Sequence, residues 1–399
     1  MTTRAFASTV APGGRAFIPA APAERVLSPG WVRVEAGRIA AVGSGGPDDG
    51  ESAVDPAAAC AVDLGGAWLL PGFVDMHVHG GGGATYTSGE ADEARTAAAF
   101  HRSHGTTTTM ASLVTAGLDD LERAVRALVS LVDEGVVCGL HLEGPYLSPS
   151  HAGAHDPALL RTPDTAELDR LLDAAGGTVR MVTVAPELPG GMDLVRQTVD
   201  AGAVAAIGHT DATYEQARAA FDLGARVATH LYNAMRPLHH RDPGPVAAAL
   251  EDDRVTVELI NDGVHLHDAV AALAFRVAGP ARTALITDAM AAAGMPDGAY
   301  DLGSMEVRVE DGIARLADGG SIAGSTLTMD VALRRAVQAL GVPMVDAARA
   351  AATTPAGVLG LRTGAVEPGL DADLVVLDDA LAVRSVMVRG AWVSAPPSL

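Results

Sequence analysis

Eight short β-rich runs recur between about Val74 and Met290: GFVDMHVH, GTTTTMASLV, VVCGLHLEG, TVRMVTVAPE, AVAAIGHT, ARVATHLYN, VTVELIND and TALITDAM. Segments rich in Ala, Glu and Arg, such as DLERAVRALVSLVDEG and YEQARAAFDLG, lie between them. Such alternation requires parallel strands joined by crossover helices. Eight units predict an α/β fold with a (β/α)8 TIM-type barrel over residues 69–358, its working face at the C-terminal strand ends. The chain ends read differently. WVRVEAGRIAAVG (31–43) and DADLVVLDDALAVRSVMVRGAWV (371–393) are short alternating strands split by turn residues. They predict a small β-sandwich domain made from both termini, residues 1–68 and 359–399. Residues 44–58 read as a surface loop, and Asp311–Gly312 as the turn of a hairpin. Helices are expected at about 328–341 and 343–353.

The 399 residues suffice for a barrel plus something smaller. With 48% hydrophobic but only 4% aromatic residues, the core must be built from Ala, Val and Leu. A net charge of −21 argues against nucleic acid or an anionic membrane as partner, and an anionic substrate would need a local positive patch. No apolar run approaches the ~20 residues of a membrane span. MTTRAFASTV lacks the apolar stretch of a secretory signal. Cys60 and Cys138 are the only cysteines and have no zinc-type spacing. A cytoplasmic location is the expectation. All 28 basic residues are arginine. The absence of lysine removes Schiff-base chemistry, a P-loop and a carboxylated lysine between two metals. Any bridging metal ligand must be a carboxylate.

Polar residues break the apolar runs at their C-terminal ends. His77 and His79, in FVDMHVHGGGG, share one face of the first strand. The third run ends in His141 and Glu143, the fifth in His209, the sixth in His230 and the eighth in Asp288; His265 follows the seventh. Two side-by-side imidazoles in a core are satisfied by a metal ion, or less simply by hydrogen bonds. So many such residues at the end where barrel active sites form favour the metal. Glu143, His209 and His230 offer two nitrogens and an oxygen with room for water, a catalytic set. His77 and His79 could hold a second ion, with Glu143 bridging. Asp288 is the natural general base and then acid, and His265 is placed to polarise a carbonyl. His141 reads as lying one layer deeper. His101 and His104 read as packing or surface residues, and His267 as solvent-facing.

The stretches GTTTTMASLVT, HLEGPYLSPSHAGAHDP, AIGHTDATYEQA, ATHLYNAM, INDGVHLH, LITDAM and AGSTLTMD, together with PGFVDMHVHG, resemble the amidohydrolase superfamily and, within it, the N-acetylglucosamine-6-phosphate deacetylase family. The resemblance implies metal-dependent hydrolysis of the acetamido group of that sugar phosphate in amino-sugar recycling. It implies one or two divalent ions (Zn, Fe or Co) per subunit and a homodimer. By matching motif, Glu143, His209 and His230 bind the principal metal and Asp288 is the catalytic base. His155 and His265 contact the sugar and its acetamido group, Asn233 and Ala234 contact the phosphate, and Gly324 lines the pocket. Arg241 is the cationic phosphate partner, which a neighbouring subunit can lend. Two alternatives stay open: another hydrolytic amidohydrolase acting on a cyclic amide or nucleobase, and a non-catalytic metal- or sugar-phosphate-binding protein.

Overall fold

All eight β-rich runs contain strands in the computed structural model, which describes residues 7–11, 14–18, 25–45 and 59–393. Seven of them pair in one parallel sheet, in chain order: Ala111–Val114, Leu140–Glu143, Val179–Val184, Val204–Ile207, Val227–Ala228, Thr256–Ile260 and Thr283–Ile286. Parallel strands covered on both faces must be apolar on both faces. Every residue of Ala111–Val114, Thr256–Ile260 and Thr283–Ile286 is buried.

The crossover helices follow from amphipathic spacing. Leu118–Asp133 buries Leu121, Ala124, Val125, Leu128 and Leu131. Its outer face carries the Glu122–Arg126 pair. Tyr214–Asp222 opens on a reciprocal cap, in which Thr213 accepts from the Gln216 amide while the Gln216 side chain accepts from Thr213.

The ladders differ from the single eight-stranded barrel expected. Phe73–Asp75 pairs in parallel with Thr106–Thr109 as a separate two-stranded ladder. The second run is split at Met110, passing from that pair to the seven-stranded sheet at Ala111. Residues 76–79, which carry the paired histidines, bend away from ladder geometry. Single backbone bonds hold this segment on both sides. Ser112 N–H donates to the Val78 carbonyl at 3.0 Å, Asp288 N–H to His77 at 2.9 Å, and His79 N–H to Ala289 at 2.8 Å. The fold is therefore α/β, with a curled seven-stranded parallel sheet and a short two-stranded companion.

Both chain ends meet in a nine-stranded, mainly antiparallel sheet. Its seam is the antiparallel pair of Trp68–Pro71 with Leu374–Leu377. This sheet has its own core, including Val32, Val34, Ile39, Leu69, Leu374 and Met387. The hairpin at Asp311–Gly312 forms between Met305–Glu310 and Ile313–Leu316. Helices occupy Met329–Gln338 and Met344–Ala348; the latter runs through a π-helical turn, Arg349–Thr353, into Thr354–Val358, beyond the expected end at 353. The loop expected over 44–58 lies largely outside the described residues. Among the described residues no helix is long and apolar enough to cross a membrane.

Leu285 is fully buried in the last parallel strand. Leu285→Ala should cost about 2–5 kcal/mol of stability, the usual result of an unfilled core cavity. Urea unfolding would measure it, and a loss under about 1 kcal/mol would mean the surrounding strands collapse freely into the gap.

Candidate active site

The polar residues at the strand ends converge on one carboxylate. Glu143 Oε1 lies 3.2 Å from His209 Nε2, 3.1 Å from His230 Nε2 and 3.3 Å from His77 Nε2. Its Oε2 lies 3.1 Å from His79 Nε2 and 3.5 Å from His155 Nε2. Asp288 Oδ1 reaches His79 Nε2 at 3.0 Å and His77 Nε2 at 3.5 Å. All of these groups are buried.

The backbone is bent to aim them. His209 (φ 47°), His230 (φ 27°) and Asp288 (φ 50°) lie in the left-handed region, as do Tyr232 and Ala234 just after His230. Each such residue costs on the order of 1–3 kcal/mol and persists only where neighbours over-determine it. Here they do: the His209 carbonyl accepts from Ser148 N–H at 2.9 Å, and the Asp288 carbonyl from Ser325 N–H at 2.8 Å. Gly324, one residue before Ser325, has φ +62°, and a Cβ there would sit 3.0 Å from the Asp288 carbonyl oxygen.

Outer partners fix which imidazole nitrogens face inward. His79 Nδ1 donates to the Ser112 carbonyl at 3.1 Å and His209 Nδ1 to the His151 carbonyl at 2.9 Å. A carbonyl only accepts, so each Nδ1 carries the hydrogen and a neutral ring turns its Nε2 lone pair inward. The Nε2 atoms of His209 and His230 then face each other at 3.0 Å, and those of His77 and His79 at 3.2 Å. Opposed lone pairs repel unless a proton or cation sits between them. Ligand atoms on a tetrahedral ion at 2.0–2.1 Å are about 3.3 Å apart. The donor set and its spacings fit a divalent cation, and the cluster is capable of coordinating one.

Charge in the metal-free cluster follows from burial against pairing. Burial would lower His79, but its bonds to Asp288 and Glu143 win and raise it to about 9. His77 is also raised despite burial, by Glu143, Glu258 and Asp288. His209 goes the other way, to about 4, because burial and His155 dominate. Burial opposes the ionised forms of Glu143 and Asp288, yet the charge on His77 holds both well below the usual carboxylate range.

Above the cluster lies a cavity of about 300 Å³ whose wall includes His79, Glu143, His209, His230 and Asp288. His155, Asn233, Ala234, His265 and Gly324 line it too. His265 Nδ1 bonds Asp262 Oδ2 at 2.7 Å, and that bond holds Asp262 below its usual range despite burial. Arg241 does not line this cavity; it is exposed, and its guanidinium meets His240 at 2.7 Å. His141 lies beneath the cluster, bonded to Ser112 Oγ at 3.0 Å and Thr183 Oγ1 at 2.9 Å. His101 is buried and bonds the Gly80 carbonyl at 2.8 Å, and exposed His267 caps the helix Asp268–Ala278.

Two buried carboxyls escape the strand-end pattern. Glu258 Oε2 lies 3.0 Å from His77 Nδ1 and accepts the His230 N–H at 3.0 Å. Asp75, pushed up to about 7 by burial, accepts from the Thr287 hydroxyl at 2.6 Å. Both lie inside apolar runs, where a lone acid on a buried strand was the available signal.

The chain belongs to the amidohydrolase family, whose profile matches residues 68–393. Within that family it is closely related to the N-acetylglucosamine-6-phosphate deacetylases. It is 38% identical over 330 residues to the Lysinibacillus sphaericus enzyme of that name, covering 82% of this chain and 85% of that one. It is also 38% identical over 349 residues to the N-acetylgalactosamine-6-phosphate deacetylase of Escherichia coli O157:H7, covering 86% and 92%. In structure it resembles a variant of the Mycobacterium smegmatis N-acetyl-D-glucosamine-6-phosphate deacetylase in complex with N-acetyl-D-glucosamine-6-phosphate. That match has a TM-score of 0.91 and 47% identity, and covers 98% of this chain and 100% of that one.

A cation taken up beside His79 would displace the proton that its pairing with Asp288 and Glu143 favours. Because the metal-free pKa of His79 lies near 9, cation uptake at pH 7–8 should release protons, and this contribution should fade as pH rises through 9. Calorimetric titration with Zn²⁺ in two buffers of different ionisation enthalpy reads the count. Zero release at pH 7.5 would contradict the charge assignment.

Proposed function

We propose that this protein hydrolyses the acetamido group of N-acetylglucosamine 6-phosphate, giving glucosamine 6-phosphate and acetate, in amino-sugar catabolism. The observation that carries this reading is the match, over nearly the whole of both chains, to a structure that holds that sugar phosphate. The similarity to the galactosamine-type relative favours a second substrate, the C4 epimer, for the same chemistry.

Glu143, His209 and His230 would hold the principal ion, Zn, Fe or Co. His77 and His79 would hold a second, with Glu143 shared, so that each subunit takes one or two. A bound divalent ion supplies Lewis acidity, which can bring the pKa of water to about 7. Asp288, ionised and facing the cavity, takes the proton as water adds to the acetyl carbonyl carbon. His265, oriented by Asp262, donates to the carbonyl oxygen as negative charge develops there. Asp288 then returns its proton to the nitrogen as the C–N bond breaks, and the amine leaves neutral. His155, braced by Thr115 Oγ1 at 2.8 Å, holds the sugar; Asn233 and Ala234 meet the phosphate, and Gly324 keeps the wall open. Since Arg241 is exposed and off this cavity, we assign it to the phosphate of the neighbouring subunit in a homodimer.

We read residues 69–358 as a (β/α)8 barrel closed by the bonds between Asp288, His77, His79 and Ala289, with residues 1–68 and 359–399 as its β domain. We read it as a cytoplasmic enzyme, and its net charge of −21 argues against nucleic-acid or anionic-membrane partners.

Metal-loaded enzyme should release free amine from N-acetylglucosamine 6-phosphate; no release from either epimer would end this reading. Asp288→Asn should lower kcat by about 10²–10⁴-fold with metal still bound. A variant near normal kcat would move the proton to another group. Arg241→Ala should raise KM for the phosphorylated sugar about ten- to hundred-fold, the worth of one charge-assisted contact of 1.5–3 kcal/mol. Equal losses on the unphosphorylated sugar would remove Arg241 from phosphate recognition.

A further inference from the structure

Glu258 sits in the middle of the strand Thr256–Ile260, fully buried, and does not line the cavity. Its Oε2 receives two N–H groups from different parts of the cluster. One is Nδ1 of His77, at 3.0 Å; the other is the backbone amide of His230, at 3.0 Å. The two histidines belong to different imidazole pairs: His77 with His79, and His230 with His209. Its other oxygen, Oε1, is buried with no hydrogen-bond partner among the described residues. A buried carboxylate with one idle oxygen is costly unless its charge is used.

Both contacts act on orientation. A hydrogen bond from Nδ1 to a carboxylate leaves Nε2 of His77 as the inward lone pair and makes it more basic. His230 needs its amide bond for a different reason. Its φ of 27° is strained, and its own Nδ1 is buried without a partner, so no side-chain bond fixes the ring from behind. The His230 amide bond to the Glu258 side chain helps hold that turn, with bonds from the Asn233 amide to the His230 carbonyl at 3.0 Å and from Leu231 N–H to the Glu258 backbone carbonyl at 2.9 Å.

We propose that Glu258 is the positioning residue shared by both imidazole pairs, setting the ring of His77 and the backbone turn of His230 through one oxygen. The inference rests on the metal-dependent reading above. Glu258 touches neither substrate nor ion, so its effect passes through metal affinity.

The test is Co²⁺ affinity, measured by competition with a chromophoric chelator, on wild type, Glu258→Gln and Glu258→Ala, each checked for fold by circular dichroism. Gln keeps an acceptor and the shape but loses the charge; Ala loses both contacts. Affinity should fall about 10–100-fold in Gln, as for other carboxylates behind metal-bound histidines, and further in Ala. If the Ala variant does not fold, Gln decides. The Ala change in a His77→Ala background should still weaken the remaining site, through loss of the His230 amide contact. If it does not, Glu258 acts through His77 alone and the shared role is lost. Wild-type affinity in Glu258→Gln overturns the proposal outright. Failure of the wild type to bind Co²⁺ would instead overturn the metal-dependent reading on which it stands.

Discussion

Placing two carboxylates and four inward-facing imidazoles, all buried, at the floor of one cavity is the constraint on which the rest of the structure depends. Left neutral and unpaired, the rings would face one another lone pair to lone pair at 3.0 and 3.2 Å. Glu143 relieves this by lying within 3.3 Å of three Nε2 atoms on one oxygen and 3.1 Å of a fourth on the other. The arrangement carries charge whether or not a cation is bound: protons on His77 and His79 stand in for it when it is absent. This is why a carboxylate, and not a neutral amide, belongs at Glu143. A chain without lysine also leaves only a carboxylate able to serve as a bridge, were two cations bound.

The backbone is subordinate to that cluster. Strands deliver residues to the sheet end, but a regular strand end would not turn His209, His230 and Asp288 onto one point. Each is held in the left-handed region, where only Gly sits without strain. N–H bonds from Ser148 and Ser325, and the His230 N–H bond accepted by Glu258, hold these turns, so the strain is spread over several segments of the sheet end. The Gly-rich segment after His79 serves the same end by close packing. A Cβ on Gly81 would lie 2.6 Å from the Phe100 ring and 2.7 Å from that of His101.

Much of this was legible in the sequence, for identifiable reasons. Buried parallel strands are short apolar runs, and a polar residue at the end of such a run stands out, as His209, His230 and Asp288 do. The parallel order follows from helices lying between strands. The division of the second run was hidden because Thr109, Met110 and Ala111 contain neither Gly nor Pro, the residues that mark a break. The run 344–358 passes beyond 353 because the π-helical turn Arg349–Thr353 interrupts the regular hydrogen-bond ladder just ahead of Pro355, which has no N–H to give it. Glu258 and Asp75 do not stand out in this way, because they lie within runs rather than at their ends. Burial alone would argue against acids there; their partners, Thr287, His77 and the His230 amide, come from distant segments and have no local signature.

The seam between Trp68–Pro71 and Leu374–Leu377 also bears on the order in which the molecule is made. Trp68–Pro71 leads through Gly72 directly into the segment bearing His77 and His79, so it anchors one side of the ligand cluster. It emerges early in synthesis, while its partner strand is among the last to leave the ribosome. Closing so long a loop is slow, because chain entropy is lost before the contact forms. A nascent chain therefore carries His77, His79, Glu143, His209, His230 and Asp288 before it carries the strand Leu374–Leu377 that pairs with Trp68–Pro71.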